Sequence, residues 1–431
     1  MLEFHLYMSV VDIRFCERIS EYGISWNVRF LMKGDRAMRE QSNNRGKRSH
    51  SKIVLYAVLL VLLAVGAIIY KTRKPYPDEI MMAVAGKLNK TADELTADDF
   101  KGQKELMLSR LKIRSLTSLS KMRNLEKLSL NHIRMIPRQP TGWDRLLEKL
   151  HIGKPSKYDS INLSPLKNMT ELQALELTAI YVNNLEPLAK LKKLSGLSLS
   201  GTQASDLRPL ANLENLQTLT FSERHVTDFT TLSCLKNLQT LNLFRTRIAD
   251  VSLISSLTNL KKLDVSHTMV ADAGPLSSLT NLQWLSLWST GVTDVNPLSS
   301  LTNLKWLDLK NTQIIDIEPL ACLTDLETLV LSQTWITDVR PLASLTNLKS
   351  LYLSFTRVTD VGPLASLINL QTLNLSSTRV VDVSPLLSLK YLQYLDLRGT
   401  QVSDEQIAEL KKALPNLKIR YPQEKPDVRV Y

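Results

Sequence analysis

Residues 279–300 read LTNLQWLSLWSTGVTDVNPLSS. Leu282, Leu285 and Leu287 occupy the first, fourth and sixth places of an L-x-x-L-x-L run. Successive side chains of a strand point to opposite faces, so Leu285 and Leu287 face one way and Trp284, Ser286 and Trp288 the other. The Asp294–Pro297 stretch that follows carries turn chemistry. A three- to six-residue strand with one apolar edge cannot bury that edge alone, so the stretch calls for neighbours of the same kind.

The chain supplies them. The same run starts at Leu172, Leu194, Leu216, Leu238, Leu260, Leu282, Leu304, Leu326, Leu348, Leu370 and Leu392, with every interval equal to 22 residues. Weaker copies start at Leu108, Leu125, Leu147 and Leu417, which together predicts about fifteen short strands. The period written out is LxxLxLxxTxVxDxxPLxxLxNL. It resembles the leucine-rich repeat family in its short, internalin-like bacterial form. The resemblance implies a solenoid, with a curved parallel β-sheet on its concave side, short 3-10 or turn segments on its convex side, and helical caps. For function it implies only a scaffold that usually binds other proteins.

Individual places have physical readings. The ninth is Thr in nine of the eleven regular copies, from Thr202 to Thr400. No His stands at a matching place to activate a hydroxyl, so this row reads as a structural ladder. The thirteenth is Asp in ten copies, Asp206 to Asp404, and suits the cap of a short helical turn. A row of calcium sites is the alternative. Calcium needs several converging oxygens, and each repeat offers one carboxylate, so neither metal nor cofactor is expected. Cys234 and Cys322 share one phase four repeats apart. At about 4.8 Å per strand they are roughly 20 Å apart, too far for a disulfide, and read as small buried fillers. Thr91–Glu94 and Ser403–Gln406 have capping-box spacing at the two ends of the array.

Ahead of the array, Ile53–Tyr70 is an 18-residue run without charge or proline between the basic flanks RGKRSHSK and KTRK. That is near the lower length for a membrane-spanning helix. It reads as an uncleaved signal anchor; the rival reading, a cleaved signal peptide ending at Val65-Gly66-Ala67, conflicts with the apolar residues that continue to Tyr70. The first 74 residues hold 13 of the 54 basic side chains and 6 of the 42 acidic ones. Over half of the +12 excess therefore belongs to the tail and membrane flank, which does not favour nucleic acid as a partner. The chain divides into a basic tail (1–52, with 1–31 read as preceding a true start at Met32 or Met38), the anchor (53–70), a linker with a helical cap (71–104), the repeat array (105–421) and a polar tail (422–431). A bacterial inner-membrane protein with an exported array is the expected placement.

The third, fifth and seventh places point away from the leucines. Most copies put Ser, Thr or Asn there, but the middle copies hold Phe244, then Trp284 and Trp288, then Trp306, Asp308 and Lys310, with Tyr352 further on. Trp335 and Phe355 stand just beyond their strands, and Arg247, Arg357 and Arg379 recur at the tenth place. Four of the six tryptophans fall between residues 284 and 335. Such rings either shelter one another on a curved sheet or form an aromatic patch with the anatomy of an interface hot spot. The second reading makes Trp284, Trp288, Trp306, Phe244, Tyr352, Phe355, Trp335, Asp308 and Lys310 the candidate ligand contacts. No nucleotide loop, nucleophile elbow or zinc-protease motif occurs, so a non-enzymatic, membrane-anchored protein or peptide binder is expected. Envelope glycan binding by the same rings, and a scaffold with the array inside the cell, are the alternatives.

Overall fold

The computed structural model describes residues 78–136 and 160–421, all within one compact unit, Pro77–Tyr431. The apolar run 53–70, the tails and Leu147 lie outside the described residues. Among the described residues, no helix is long and apolar enough to cross a membrane.

Two helices open this unit: α1 (Glu79–Lys87), whose Asp78 side chain accepts the Ile80 and Met81 N–H groups, and α2 (Ala97–Gly102), capped by Thr96. Thr91 and Glu94 meet as their spacing requires, Thr91 N–H donating to the Glu94 carboxylate, but they frame only a 3-10 turn. Then come β1 (Glu105–Ser109), the short β2 (Lys112–Ile113), β3 (Lys127–Asn131), β4 (Arg134–Met135) and β5 (Ala174–Thr178). Three-residue strands follow at each repeat: β6 (Gly196–Ser198), β7 (Thr218–Thr220), β8 (Thr240–Asn242), β9 (Lys262–Asp264) and β10 (Trp284–Ser286). Next are β11 (Trp306–Asp308), β12 (Thr328–Val330), β13 (Ser350–Tyr352), β14 (Thr372–Asn374) and β15 (Tyr394–Asp396). Helix α3 (Asp404–Ala413) and β16 (Lys418–Arg420) close the array, with Ile407 and Leu410 of α3 buried. All strands except β2 and β4 form one 14-stranded sheet in sequence order, each pair parallel.

The sheet corrects two expectations. β1 pairs with β3 so that Leu108 faces Leu130, which puts Leu108 at the sixth place of its repeat rather than the first. Ile419 faces Leu395, so the last rung is also one residue out of the phase read from Leu417. β3 pairs directly with β5. An irregular repeat offers several leucines to a short pattern, and only pairing chooses among them.

Within a regular repeat, seven apolar places turn inward. In the 282 copy these are Leu282, Leu285, Leu287, Val292, Val295, Leu298 and Leu301, all shut off from solvent. The strand ends where the ninth-place threonine hydroxyl donates to the sixth-place carbonyl, as Thr290 does to Leu287 at 2.6 Å and Thr312 to Leu309 at 2.6 Å. The 216 repeat has Arg224 at that place; beside it the buried carboxylate of Glu223 accepts the Thr202 N–H of the preceding rung. A second ladder runs through the last place of the repeat: Asn281 Nδ2 donates to Thr258 O at 2.9 Å and Asn303 Nδ2 to Thr280 O at 2.8 Å. Polar side chains thereby satisfy the backbone groups that a three-residue strand leaves unpaired.

The thirteenth-place aspartates start the 3-10 turns of the opposite side. Asp294 accepts the Asn296 N–H at 2.9 Å, and Asp206, Asp250 and Asp338 do the same for the residue two places on. Three of these carboxyls are held below the usual range: Asp206 at about 2 by the Arg208 guanidinium and N–H, Asp250 by the Ser252 hydroxyl and N–H, and Asp338 by the Arg340 guanidinium and N–H. A carboxyl depressed in the folded state stabilises the fold above its unfolded pKa and loses that contribution as pH falls through the folded one. The urea midpoint is therefore expected to be flat above roughly pH 5 and to fall between about pH 4 and pH 2. A midpoint that held or rose on acidification would contradict the cap role.

Cys234 and Cys322 are exposed free thiols, not buried fillers. Their place ends the 3-10 turn on its outer side, where serine hydroxyls of other copies, such as Ser300, donate to the carbonyl of the preceding repeat.

Candidate functional site

Trp284 and Trp306 occupy the third places of β10 and β11 and are direct partners in the register. Their rings lie 4.3 Å apart between centroids with planes 5° from parallel, a stacked pair. Both are half-buried, while Leu285 and Leu307 between them are fully buried on the other face. The rings thus stand on the sheet surface away from the core, as strand alternation requires.

Trp288, at the seventh place, belongs to a second group. His267 meets it edge-on at 4.3 Å and also meets Phe244 edge-on at 5.4 Å. The Arg245 guanidinium lies 4.9 Å from the centre of the Phe244 ring, and the Lys310 ammonium 5.3 Å from the centre of the Trp288 ring. The result is a chain Arg245–Phe244–His267–Trp288–Lys310 across four successive repeats. Each end is a cation against a π face, an arrangement that favours both partners. Sequence reading missed His267. It sits at the eighth place, which strand alternation assigns to the buried side; but this place adopts φ of 55° at His267 and similar values in most copies, and the left-handed turn breaks the alternation.

Other candidates separate. Asp308 is 9% exposed and its carboxylate accepts the Lys310 N–H at 2.8 Å. It ends its strand and holds Lys310 in place, so it is not a free contact. Burial pushes its carboxyl above the usual range, against the pull of the Lys310 N–H and ammonium. Asp264, Asn242 and Asn374 cap their strands in the same way, which explains the recurrence of Asn and Asp at the fifth place. Tyr352 is half-buried two rungs along the fifth-place row from Asp308, with Val330 between. Trp335 and Phe355 lie after their strands, 46% and 61% exposed. The Arg357 guanidinium is 5.8 Å from the Trp335 ring centre. The candidates therefore form a central pair, an adjacent chain and a separate edge.

Phe355 has φ of 57°, a conformation that favours Gly and Asn over a bulky residue. Together with its exposure, this marks a residue unfavourable to the fold alone. Phe355→Asn is expected to stabilise the protein by about 0.5–1 kcal/mol in urea unfolding. A loss of stability would show that Phe355 serves packing.

The profile of leucine-rich repeats taken two copies at a time matches residues 236–278, 280–322, 302–344, 324–366 and 346–388. No curated protein sequence matches the chain significantly. Among solved structures, the chain is similar to an internalin (InlF) of Listeria monocytogenes, with 25% identity over 81% of this chain and 96% of that one and a TM-score of 0.69. The functional domain of InlJ from Listeria monocytogenes shares 18% identity over 80% of this chain and 68% of that one, with a TM-score of 0.61. The ectodomain of the plant membrane receptor kinase GASSHO1/SCHENGEN3 from Arabidopsis thaliana, solved in complex with Casparian strip integrity factor 2, shares 20% identity over 74% of this chain and 47% of that one, with a TM-score of 0.50. The 22-residue period, the 14-stranded parallel sheet with its 3-10 turns, and these matches have one meaning: the array is a solenoid of leucine-rich repeats.

Proposed function

We propose that the protein is a membrane-anchored receptor-like binder, without catalytic activity, that takes a protein or peptide partner on the open face of its sheet. The observation that carries this reading is the aromatic centre of that face: a stacked Trp284–Trp306 pair beside the Phe244–His267–Trp288 chain, in a sheet whose other outward places are mostly Ser, Thr and Asn. Large half-exposed rings with a polar surround are the residues on which binding energy concentrates. The plant ectodomain of similar fold was solved with such a partner bound, which supports the use of this scaffold for recognition.

The apolar run 53–70 is the proposed anchor, with the array exported across a bacterial inner membrane. Protease accessibility on intact cells tests the placement: an array protected from external protease would make it a cytoplasmic-facing scaffold. Crosslinking capture with the full-length protein tests the binding, using Trp288→Ala/Trp306→Ala as control. Recovery of a protein by wild type and not by the variant supports the reading. Recovery of polysaccharide instead would assign the same rings to an envelope glycan.

A further inference from the structure

We infer that the segment seated on this face is an acidic peptide carrying an apolar or aromatic anchor; the inference rests on the strand-face reading above. Positive charge gathers where the rings are. Arg245 lies over Phe244, Lys310 over Trp288, and Lys262 is exposed and in register with Trp284. Arg247 is exposed two residues after Arg245.

The carboxylates of the same stretch are already engaged. Asp264 accepts the Ser266 N–H at 2.9 Å and the Asn242 amide at 3.2 Å. Asp308 is buried and accepts the Lys310 N–H. The ion pairs among the described residues of the array lie elsewhere, at Lys127–Glu105, Lys193–Glu171, Arg208–Asp206, Arg340–Asp338, Lys349–Glu327 and Arg398–Asp396. Further along, the third and seventh places hold Thr328, Ser332, Ser350, Ser354, Thr372, Ser376 and Tyr394, which carry no charge before Arg398, itself paired with the fifth-place Asp396.

The aromatic stretch therefore presents four cations, Arg245, Arg247, Lys262 and Lys310, against two carboxylates, Asp264 and Asp308, whose charges offset only part of theirs. Two of these cations are held against rings and are oriented before any partner arrives. Partner carboxylates complete such cations, and an apolar side chain of the same partner covers the exposed indole surface. A basic partner would meet like charges.

Selection of a random peptide display library on the full-length protein tests this. Enriched peptides are expected to carry net negative charge with an aromatic residue or leucine. Their affinity should fall at least roughly tenfold in Arg245→Glu/Lys310→Glu, and should fall from low to high salt. Both positions lie on the surface, and circular dichroism checks that the variant remains folded. Enrichment of neutral or basic peptides, or of nothing, overturns the inference. Neutral peptides that lose binding in Trp288→Ala/Trp306→Ala would leave the strand-face reading standing. Acidic peptides indifferent to both double variants would overturn both.

Discussion

Trp288→Ala/Trp306→Ala is expected to abolish partner capture while the protein unfolds as cooperatively as before. Hot-spot side chains each contribute about 2 kcal/mol or more, so the pair is worth roughly 4 kcal/mol, or about a thousandfold in affinity. The two substitutions reach both aromatic groups, since Trp306 completes the stack with Trp284 and Trp288 joins His267 to Lys310. The fold should tolerate them. Both rings stand opposite the leucines, so the core keeps its contacts and the loss is confined to the sheet surface: the ring pairing, worth about 0.5–1.5 kcal/mol per pair, the partial burial of each ring and the Lys310 contact. Titration of the captured partner by calorimetry reads the first effect and thermal unfolding the second. Affinity within a few-fold of wild type would remove the aromatic centre from the function.

The opposite separation is expected at Leu307→Ala. Leu307 is fully buried at the fourth place of β11, between Leu285 and Leu329 in the register. Truncating such a leucine costs about 2–5 kcal/mol from lost burial and the cavity left behind. A solenoid draws its stability from contacts between successive repeats, so this cavity weakens the junctions on both sides of the rung. Urea unfolding should show a midpoint well below wild type, or a second transition as the array parts near this rung. A loss under about 1 kcal/mol would mean that neighbouring repeats close over the gap. Comparing the two variants separates the buried side of one strand from its exposed side.

The regular repeats were legible because their pattern is redundant. Eleven copies of Leu at the first place and nine of Thr at the ninth place leave one phase, and the Thr290 and Asp294 hydrogen bonds follow from that phase. The first and last rungs were misread because one copy in isolation lets Leu108 or Leu417 stand at more than one place. Asp308 was misread because strand alternation gives the face of a side chain but not its hydrogen bond, and this carboxylate turns back onto its own chain. His267 was missed for the complementary reason: a positive φ carries an eighth-place residue out of the alternation and beside two rings.

By itself the sequence determined the period, the inward leucines, the pairing of Trp284 with Trp306 and the threonine ladder, since each follows from a strand's two-residue alternation and one residue type repeated at a constant interval. Tertiary structure alone decided which outward residues touch. Contacts such as His267 against Trp288, or Lys310 over that ring, join residues about one repeat apart in the chain, and their geometry depends on the left-handed turn and on how neighbouring side chains fill the surface.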